Sequence, residues 1–530
     1  MLPCLKSGVY ISVCRQKTNT SMSKIISFQE FLSPAIVPVF GNKDYADLKR
    51  LLERVDRILH VSGLEFRFVE LSMARFDARV AKLEAAGEKV LSGPDAIGRY
   101  QQQSSQALRC MVLKNLIGVC YREMSRQLAM CELYQWFCRV QRVPVVRAPS
   151  KSTLNDYAKW LPAEEMELLR DTLGEALRDE ARAKIIGLEH ELDMAVVWVD
   201  STCLKANIHF PVDWVLLRDG VRTLAGHILT IRRHGLLHRI PEPESFLREM
   251  NALCMAMSAG AGKKTGGKTD RKKERKKIFR RMKTLCAVVL KHAGRYRALL
   301  DECWEESDLT RPQTEVILRG MDSVIAQMPE AKRQAHERVI GGRKVPSKDK
   351  ILSLYESDIH VIVRGKAGAP VEFGNSLLLA ETTDGYILDH ELMKARSPGD
   401  PKWLEQRYPG MKEKSGGQLC GVITDRGFES KANRRMLEED DVFNGLCPRN
   451  PRELADRLKK DEVFAAALRR RGQTEGRVGI LKNVFLDGTP RAKGFKNRQL
   501  QVAWAVLAHN LWIVARLPWI EEKVPLAEAA

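Results

Sequence analysis

Two short apolar runs, each followed directly by an aspartate, constrain the fold of this chain more than any other feature. MAVVWV (194–199) precedes Asp200, and QLCGVIT (418–424) precedes Asp425. Continuous apolar runs of this length are typical of strands buried inside a sheet. Because the ends of core strands in an α/β sheet open onto a cleft, both aspartates are candidate site residues. For either aspartate alone, a helix cap or turn is the more ordinary interpretation.

Other segments complete the prediction of an α/β fold with a mixed sheet and flanking helices. EFGNSLLLAE and GYILDHEL flank a Thr-Asp-Gly sequence at 383–385, and Asp-Gly between two such runs favours a β-hairpin. RGFESKANRRMLEED is predicted to form a helix, and DVFNGLC (441–447) a further strand. The apolar segment QLQVAWAVLAHNLWIVARL is predicted to close the fold as a helix.

The rest of the chain is predicted to be mostly helical. Apolar residues recur at spacings of three and four between 44 and 165, and YREMSRQLA and KSTLNDYAKWL in this region are candidates for a helix-turn-helix-like unit. Ordinary packing helices are the alternative for that pair. The predicted organisation is an N-terminal tail in which Met22 is an alternative start (1–43), a helical domain (44–165), an α/β domain in two parts (185–220 and 345–517), a helical insertion between them (221–344), and a C-terminal tail (518–530).

The chain carries a large excess of positive charge. It has 87 Lys and Arg against 67 Asp and Glu, a formal net charge of +20, which favours an anionic partner such as nucleic acid. Twelve Lys or Arg and two acidic residues lie within 263–283. This segment is either a solvated helix or loop, or a contact for a phosphate backbone. The candidate contacts are named here the basic helix face and comprise Lys272, Lys273, Arg275, Lys276 and Lys277.

Composition excludes several other classes of protein. Apolar residues make up 44% of the chain, which excludes wholesale disorder. No apolar run reaches the ~18 residues that a membrane helix needs, so no membrane partner is expected. The twelve Cys lack a C-x-x-C pair. That argues against a zinc ribbon and a disulfide framework, and it predicts a cytoplasmic protein with reduced thiols.

Glu475 is the candidate for a third acidic residue of the site. It lies in a segment predicted to be helical over about 461–485. With 3.6 residues per turn, Arg471, Glu475 and Lys482 fall within about 40° of one another, and Arg477 points about 160° away from Glu475. A carboxylate between two cations suits a phosphodiester, and the alternative is a solvated face with an ordinary ion pair. Three carboxylates suit Mg²⁺, which takes oxygen ligands.

These residues resemble a known family, the DDE transposases of bacterial insertion sequences, whose catalytic core is ribonuclease-H-like. The family motif around the last acid is Y-x2-R-x3-E-x6-K. Arg471, Glu475 and Lys482 match it at the family spacing, and Leu468 stands in place of the tyrosine. VDSTCLKANIHFPVDWVLL and GVITDRGFES are similar to the family's blocks around the first and second acids. The likeness covers roughly residues 100–517.

The resemblance implies a transposase that cleaves the ends of its own insertion sequence and joins them to target DNA. Asp200, Asp425 and Glu475 would be the catalytic and metal-binding triad for Mg²⁺, with Mn²⁺ as a substitute, and Arg471 and Lys482 would hold phosphates. The implied partners are double-stranded DNA, as terminal inverted repeats and target site, and further copies of the chain in a dimer or higher synaptic oligomer. The helical domain would bind DNA ends or dimerise, and the protein would join the nucleoid when bound to DNA.

Two functions other than transposition stay open, and two residues near the first acid are expected to have structural roles. A nuclease or resolvase on the same type of core would cleave without strand transfer, and a non-catalytic derivative would only bind DNA. Asp213 and His209, close to the first acid in the sequence, are expected to be structural rather than catalytic.

Overall fold

The structure is a computed structural model that describes residues 39–90, 92–142, 145–262, 268–366, 369–486, 488 and 492–520. Most of the predicted N-terminal tail, including Met22, and the end of the C-terminal tail lie outside the described residues. None of the described helices is both long and apolar enough to cross a membrane.

The first part of the described chain is helical. Helix α1 begins after Asn42, whose side chain accepts a hydrogen bond from the Tyr45 N–H (2.9 Å). The apolar face predicted for this helix packs inward, with Leu52, Val55 and Leu59 fully buried. The helices of this part are α1 (Lys43–Val61), α2 (Leu64–Ala85), α3 (Pro94–Ile117), α4 (Tyr121–Met130), α5 (Glu132–Phe137), α6 (Lys151–Tyr157), α7 (Ala163–Arg178) and α8 (Glu180–Ile186).

Both helices of the predicted helix-turn-helix unit are present, but the predicted connection between them is wrong. Both segments are helical, as α4 and α6, and they pack together, with Ser125 Oγ donating to the Pro149 carbonyl (2.9 Å). However, α5 and a hairpin of two short strands, β1 (Gln141–Arg142) and β2 (Val145–Val146), intervene. The two helices are therefore not joined by the tight turn that the motif requires.

A mixed sheet forms the second part, as predicted. Strand β3 lies centrally, antiparallel to β5 on one side and parallel to β7 on the other, and β8 is parallel to β7. Strands β4 and β6 pair with opposite halves of β5. The predicted hairpin joins β5 to β6, and Gly385 in its turn has φ of +88°, which favours glycine. The strands are β3 (Val196–Lys205), β4 (His360–Lys366), β5 (Ala369–Thr382), β6 (Ile387–Leu392), β7 (Gly421–Thr424) and β8 (Phe443–Leu446).

A helical insertion with its own hydrophobic core separates β3 from β4. It begins at Asp213 rather than near residue 221. The buried Asp213 carboxylate accepts a hydrogen bond from Gln334 (2.8 Å) and pairs with Arg338 (2.8 Å), which ties the first and last insertion helices together. Asp213 is therefore structural, while His209 is exposed. The helices are α9 (Asp213–Arg233), α10 (Pro243–Gly262), α11 (Lys268–Cys303) and α12 (Arg311–Val339), with 3₁₀ turns at Trp304–Glu306 and Ser347–Asp349.

The C-terminal helix joins the sheet to the helical part. The side chain of Asn510 makes two 2.9 Å hydrogen bonds to the backbone of Ile387, and Trp504 donates to the Ala158 carbonyl (3.0 Å). One hydrophobic core contains side chains from both parts. The helices after the hairpin are α13 (Asp400–Lys414), α14 (Lys431–Glu439), α15 (Pro451–Lys460), α16 (Glu462–Ile480) and α17 (Phe495–Val514), with a π-helical turn at Leu481–Phe485.

Candidate active site

The register of two parallel strands places Asp200 and Asp425 side by side. Val199 on β3 pairs with Thr424 at the end of β7, and each aspartate is the next residue along the chain. Strand β3 does not end there, contrary to the sequence prediction. It continues to Lys205 because the long strand β5 pairs with it throughout. Asp200 thus lies within a strand, at the point where its parallel neighbour stops.

Helix α16 brings Glu475 and Arg471 to the two aspartates. The Arg471 guanidinium lies 3.9 Å from Asp200 Oδ1 and 3.8 Å from Asp425 Oδ2, and its other terminal nitrogen lies 3.2 Å from Glu475 Oε1. The three candidate acids therefore surround a single cation. Leu468, at the position of the family's tyrosine, is half-buried on the same helix.

Asp200 is largely buried, and its pKa departs from the ordinary value. Its side chain is only 15% exposed. Burial raises its pKa from 3.8 to about 6, against the opposing effect of Arg471, and the nearby carboxylates of Asp425 and Glu475 add to the rise. The Ser201 N–H donates to Asp200 Oδ1 (2.8 Å) and favours the charged form. Three carboxylates around one arginine leave an excess of negative charge, which a further cation would relieve.

Lys482 lies at the same face of β3 as Asp200, but it is not part of the regular helix that the sequence predicted. Regular α-helix ends at Ile480, and Lys482 lies in the π-helical turn, so the 3.6-residue period does not extend to it. Its ammonium donates to Thr202 Oγ1 (3.2 Å) and to the Cys203 carbonyl (2.8 Å). Thr202 follows Asp200 by two residues and so shares its face of the sheet. Lys482 is thus near the acids but is held by the strand.

A buried glutamate that the sequence analysis missed fixes the orientation of α16. Glu381 on β5 is 4% exposed and accepts hydrogen bonds from Arg470 (2.7 Å) and Thr474 (2.7 Å), and it pairs with Arg477 (3.3 Å). These three α16 residues lie on successive turns of one helix face. Together the four residues are named here the Glu381 cluster. The available signal was a charged residue at the end of the apolar run LLLAE.

The Glu381 cluster has further contacts with the strand that carries Asp200. The Arg470 guanidinium lies 4.0 Å from the ring centroid of Trp198, and Trp198 pairs with Glu381 in the sheet register. Arg470 also donates to the carbonyls of Thr382 (3.0 Å) and Thr383 (2.8 Å). Arg477 points away from Glu475, as predicted, but into this cluster rather than into solvent. Because this face of α16 is fixed, the adjacent face is directed at Asp200 and Asp425.

The basic helix face lies on α11 of the insertion, which packs mainly on α9, α10 and α12. Lys272, Lys273 and Lys277 are exposed, and Lys276 is half-buried. Arg275 is also half-buried, and its guanidinium lies 5.0 Å from the ring centroid of Trp214. The structure does not bring this face to the carboxylates, and residues 263–267 at the start of the basic segment lie outside the described residues.

The donor set suits a hard divalent cation, although the acids are not gathered as metal ligands. Within the described part of the chain, no three His, Cys, Asp or Glu side chains form a group that could hold a metal ion. Asp200, Asp425 and Glu475 instead surround the Arg471 guanidinium, whose Nε is buried without a hydrogen-bond partner. Carboxylate oxygens are ligands that Mg²⁺ takes in proteins. The residues therefore fit such an ion in kind, and Arg471 stands between them.

Comparison of the chain with known proteins found no matching family model, no matching curated protein and no matching solved structure. A functional conclusion therefore depends on the residues of the site and on the strands and helix that position them. These are two adjacent strand aspartates, a helix glutamate and an arginine between them.

Proposed function

We propose that this protein is a DNA transposase of the DDE type, which cleaves the ends of its own insertion sequence and joins them to target DNA. One observation carries the proposal. Asp200 and Asp425 on neighbouring parallel strands, and Glu475 on the helix packed across them, share the Arg471 guanidinium within 4 Å. Carboxylates at these three places are what the resemblance to DDE transposases implies.

The arrangement of the sheet supports a ribonuclease-H-like core. The central strand carries the first acid, its parallel neighbour leads into the second, and a helix late in the chain carries the third. The antiparallel strands β5 and β6 complete the other side of the sheet. Helix α17 follows the third acid and buries its apolar surface against the same fold.

Each residue of the site has a role in the proposed chemistry. Asp200, Asp425 and Glu475 would hold Mg²⁺. When bound, this ion supplies the charge that activates a water or a hydroxyl and stabilises the leaving oxygen of a phosphodiester. Arg471 would exchange its carboxylate partners for phosphate oxygens, which its planar fork can bind through two hydrogen bonds. Lys482 would hold a second phosphate on the face of β3 that carries Asp200.

Two successive in-line displacements follow from this assignment. Water attacks the phosphodiester at the element end, breaks its P–O3′ bond and leaves a 3′-hydroxyl and a 5′-phosphate. That 3′-hydroxyl then attacks a phosphodiester of the target, forms a new P–O bond and releases the target's 3′-hydroxyl. The partners would be duplex DNA at both steps and further copies of the chain that hold two ends together. The exposed lysines of the basic helix face would contribute phosphate contacts, which supply most of the affinity of DNA-binding proteins.

The test uses the DNA that flanks the gene for this protein. Sequencing that DNA should reveal short inverted repeats. The full chain, incubated with a labelled repeat, plasmid target and Mg²⁺, should cleave the repeat end and join it covalently to the plasmid. Cleavage without joining would indicate a nuclease or resolvase, and binding without cleavage would indicate a non-catalytic derivative. Either outcome would overturn the proposal.

A further inference from the structure

A second candidate site lies where the helical part of the chain meets the C-terminal segment. Residues of three regions line an open cavity of about 490 Å³: the end of α3 with the start of α4, helix α6 with the residues just after it, and residues 484–486 with 492–504. This space is named here the junction cavity. None of Asp200, Asp425 and Glu475 lines it, so it is distinct from the candidate active site.

The charge of the junction cavity is entirely positive. Five basic residues line it, and no acidic residue does among the described residues. Among the described residues, no ion pair involves Arg122, Lys151, Lys159 or Lys493. Helix α4, ten residues long, begins beside the cavity without a side-chain cap, and its first N–H groups add partial positive charge. The basic residues are Lys114, Arg122, Lys151, Lys159 and Lys493.

The lining of the junction cavity also includes apolar side chains and side-chain amides. Val484 is 48% exposed, and Tyr121 and Leu500 are half-buried, so these three residues offer apolar surface and form the apolar wall. Met111, Phe485, Leu486 and Trp504 also line the cavity but are buried. Side-chain amides around this apolar wall offer both hydrogen-bond donors and acceptors. Those lining the cavity include Asn155, Asn497 and Gln501.

We propose that the junction cavity binds a free nucleoside triphosphate. The cations would neutralise the phosphates, the apolar wall would take the base, and the amides would bind the polar edge of the base. A volume of 490 Å³ lies in the range of small-molecule sites. Each nucleotide of a strand carries one phosphate charge, so one nucleotide in the cavity would leave most of the five cations unpaired. A triphosphate concentrates several negative charges in the same space.

The test is titration calorimetry on the full chain without DNA and with EDTA, using ATP, GTP, CTP and TTP in turn. At least one should bind at one site per chain. The double variant Lys159→Glu, Lys493→Glu should bind it roughly 100-fold more weakly, at about tenfold for each lost charged contact. Arg122→Ala, in helix α4, should weaken binding about tenfold. The matched control is Lys82→Glu, an exposed lysine outside the cavity, which should leave the affinity unchanged.

Three results would overturn the proposal. The first is no binding of any of the four nucleotides. The second is binding that the cavity variants leave unchanged. The third is binding of a short single-stranded oligonucleotide, or of inorganic triphosphate, at least as tightly as any free nucleotide, because the cavity would then recognise a strand or only an anion. Asp200→Asn should retain nucleotide binding, so the outcome is independent of the proposed transposase chemistry.

Discussion

Substitution of Glu381 by alanine should release helix α16 from the sheet. The change leaves Arg470 and Arg477, which are 14% and 24% exposed, without their carboxylate, and Thr474 without its acceptor. Removing one partner of a buried ion pair costs about 3–5 kcal/mol. Arg470 keeps its two backbone carbonyls and its contact with Trp198, so the lower end of that range, about 3 kcal/mol, is expected here.

Hydrogen exchange measures this effect at the helix itself. A loss of about 3 kcal/mol corresponds to amides of α16 exchanging roughly 100-fold faster, while amides of α17 change less. Glu372→Ala is the matched control, because Glu372 lies on the same strand and pairs with Lys205, whose side chain is 53% exposed. That pair should contribute less than about 1 kcal/mol. If α16 exchanged equally in both variants, the Glu381 cluster would not hold the helix.

Three further predictions concern the candidate site and the basic helix face. Because the pKa of Asp200 is about 6 against an ordinary 3.8, its contribution to stability is present below about pH 4 and is lost as the pH rises through 6. In EDTA, the free energy of unfolding of Asp200→Asn, measured by denaturant titration, should therefore equal that of the parent at pH 4 and exceed it by up to about 3 kcal/mol at pH 8. The same difference between variant and parent at both pH values would contradict the effect of burial on Asp200. Arg471→Lys should reduce cleavage at least about tenfold although charge is kept, whereas Arg469→Lys, an exposed neighbour, should have no effect. Changing the four lysines of the basic helix face to glutamine should weaken DNA binding. The slope of log affinity against log salt concentration should fall by roughly 0.9 for each lost phosphate contact. An unchanged slope would show that this face has no role in DNA binding.

The sequence was sufficient to predict features that depend on local pattern. Apolar runs located β3 and β7, and Asp-Gly located the hairpin between β5 and β6. The parallel pairing of Val199 with Thr424 then brings Asp200 beside Asp425, although Asp200 lies within β3 rather than at its end. Helical periodicity placed Arg471 and Glu475 on one face because that part of α16 is regular.

Features that depend on distant partners could not be predicted in the same way. Strand β3 extends to Lys205 because β5, far along the chain, pairs with it. Lys482 departs from the helical period because a π-helical turn replaces the last turn of the helix. Glu381 was missed because its three partners lie on a helix about 90 residues later. A charge at the end of an apolar run shows that a partner is needed but does not identify it.

The tight turn expected between α4 and α6 was wrong for a related reason. Both segments have helical patterns, but the pattern does not reveal that α5 and a β-hairpin stand between them. The shared core of the helical part and the sheet was also missed, because apolar faces on α1 to α8 do not indicate what covers them. The C-terminal helix supplies much of that cover, through Trp504 and Leu507.

We propose that Asp200, Asp425 and Glu475 act together in metal-dependent cleavage of DNA. The most direct measurement is cleavage of the flanking inverted repeat by Asp200→Asn, Asp425→Asn and Glu475→Gln, with DNA binding measured in parallel and Gln473→Ala, an exposed α16 residue, as control. Each acid variant should lose Mg²⁺-dependent cleavage while binding DNA about as well as the parent, because phosphate contacts supply most of the affinity. Near-normal cleavage by any one of the three would remove that residue from the site and contradict the proposed triad.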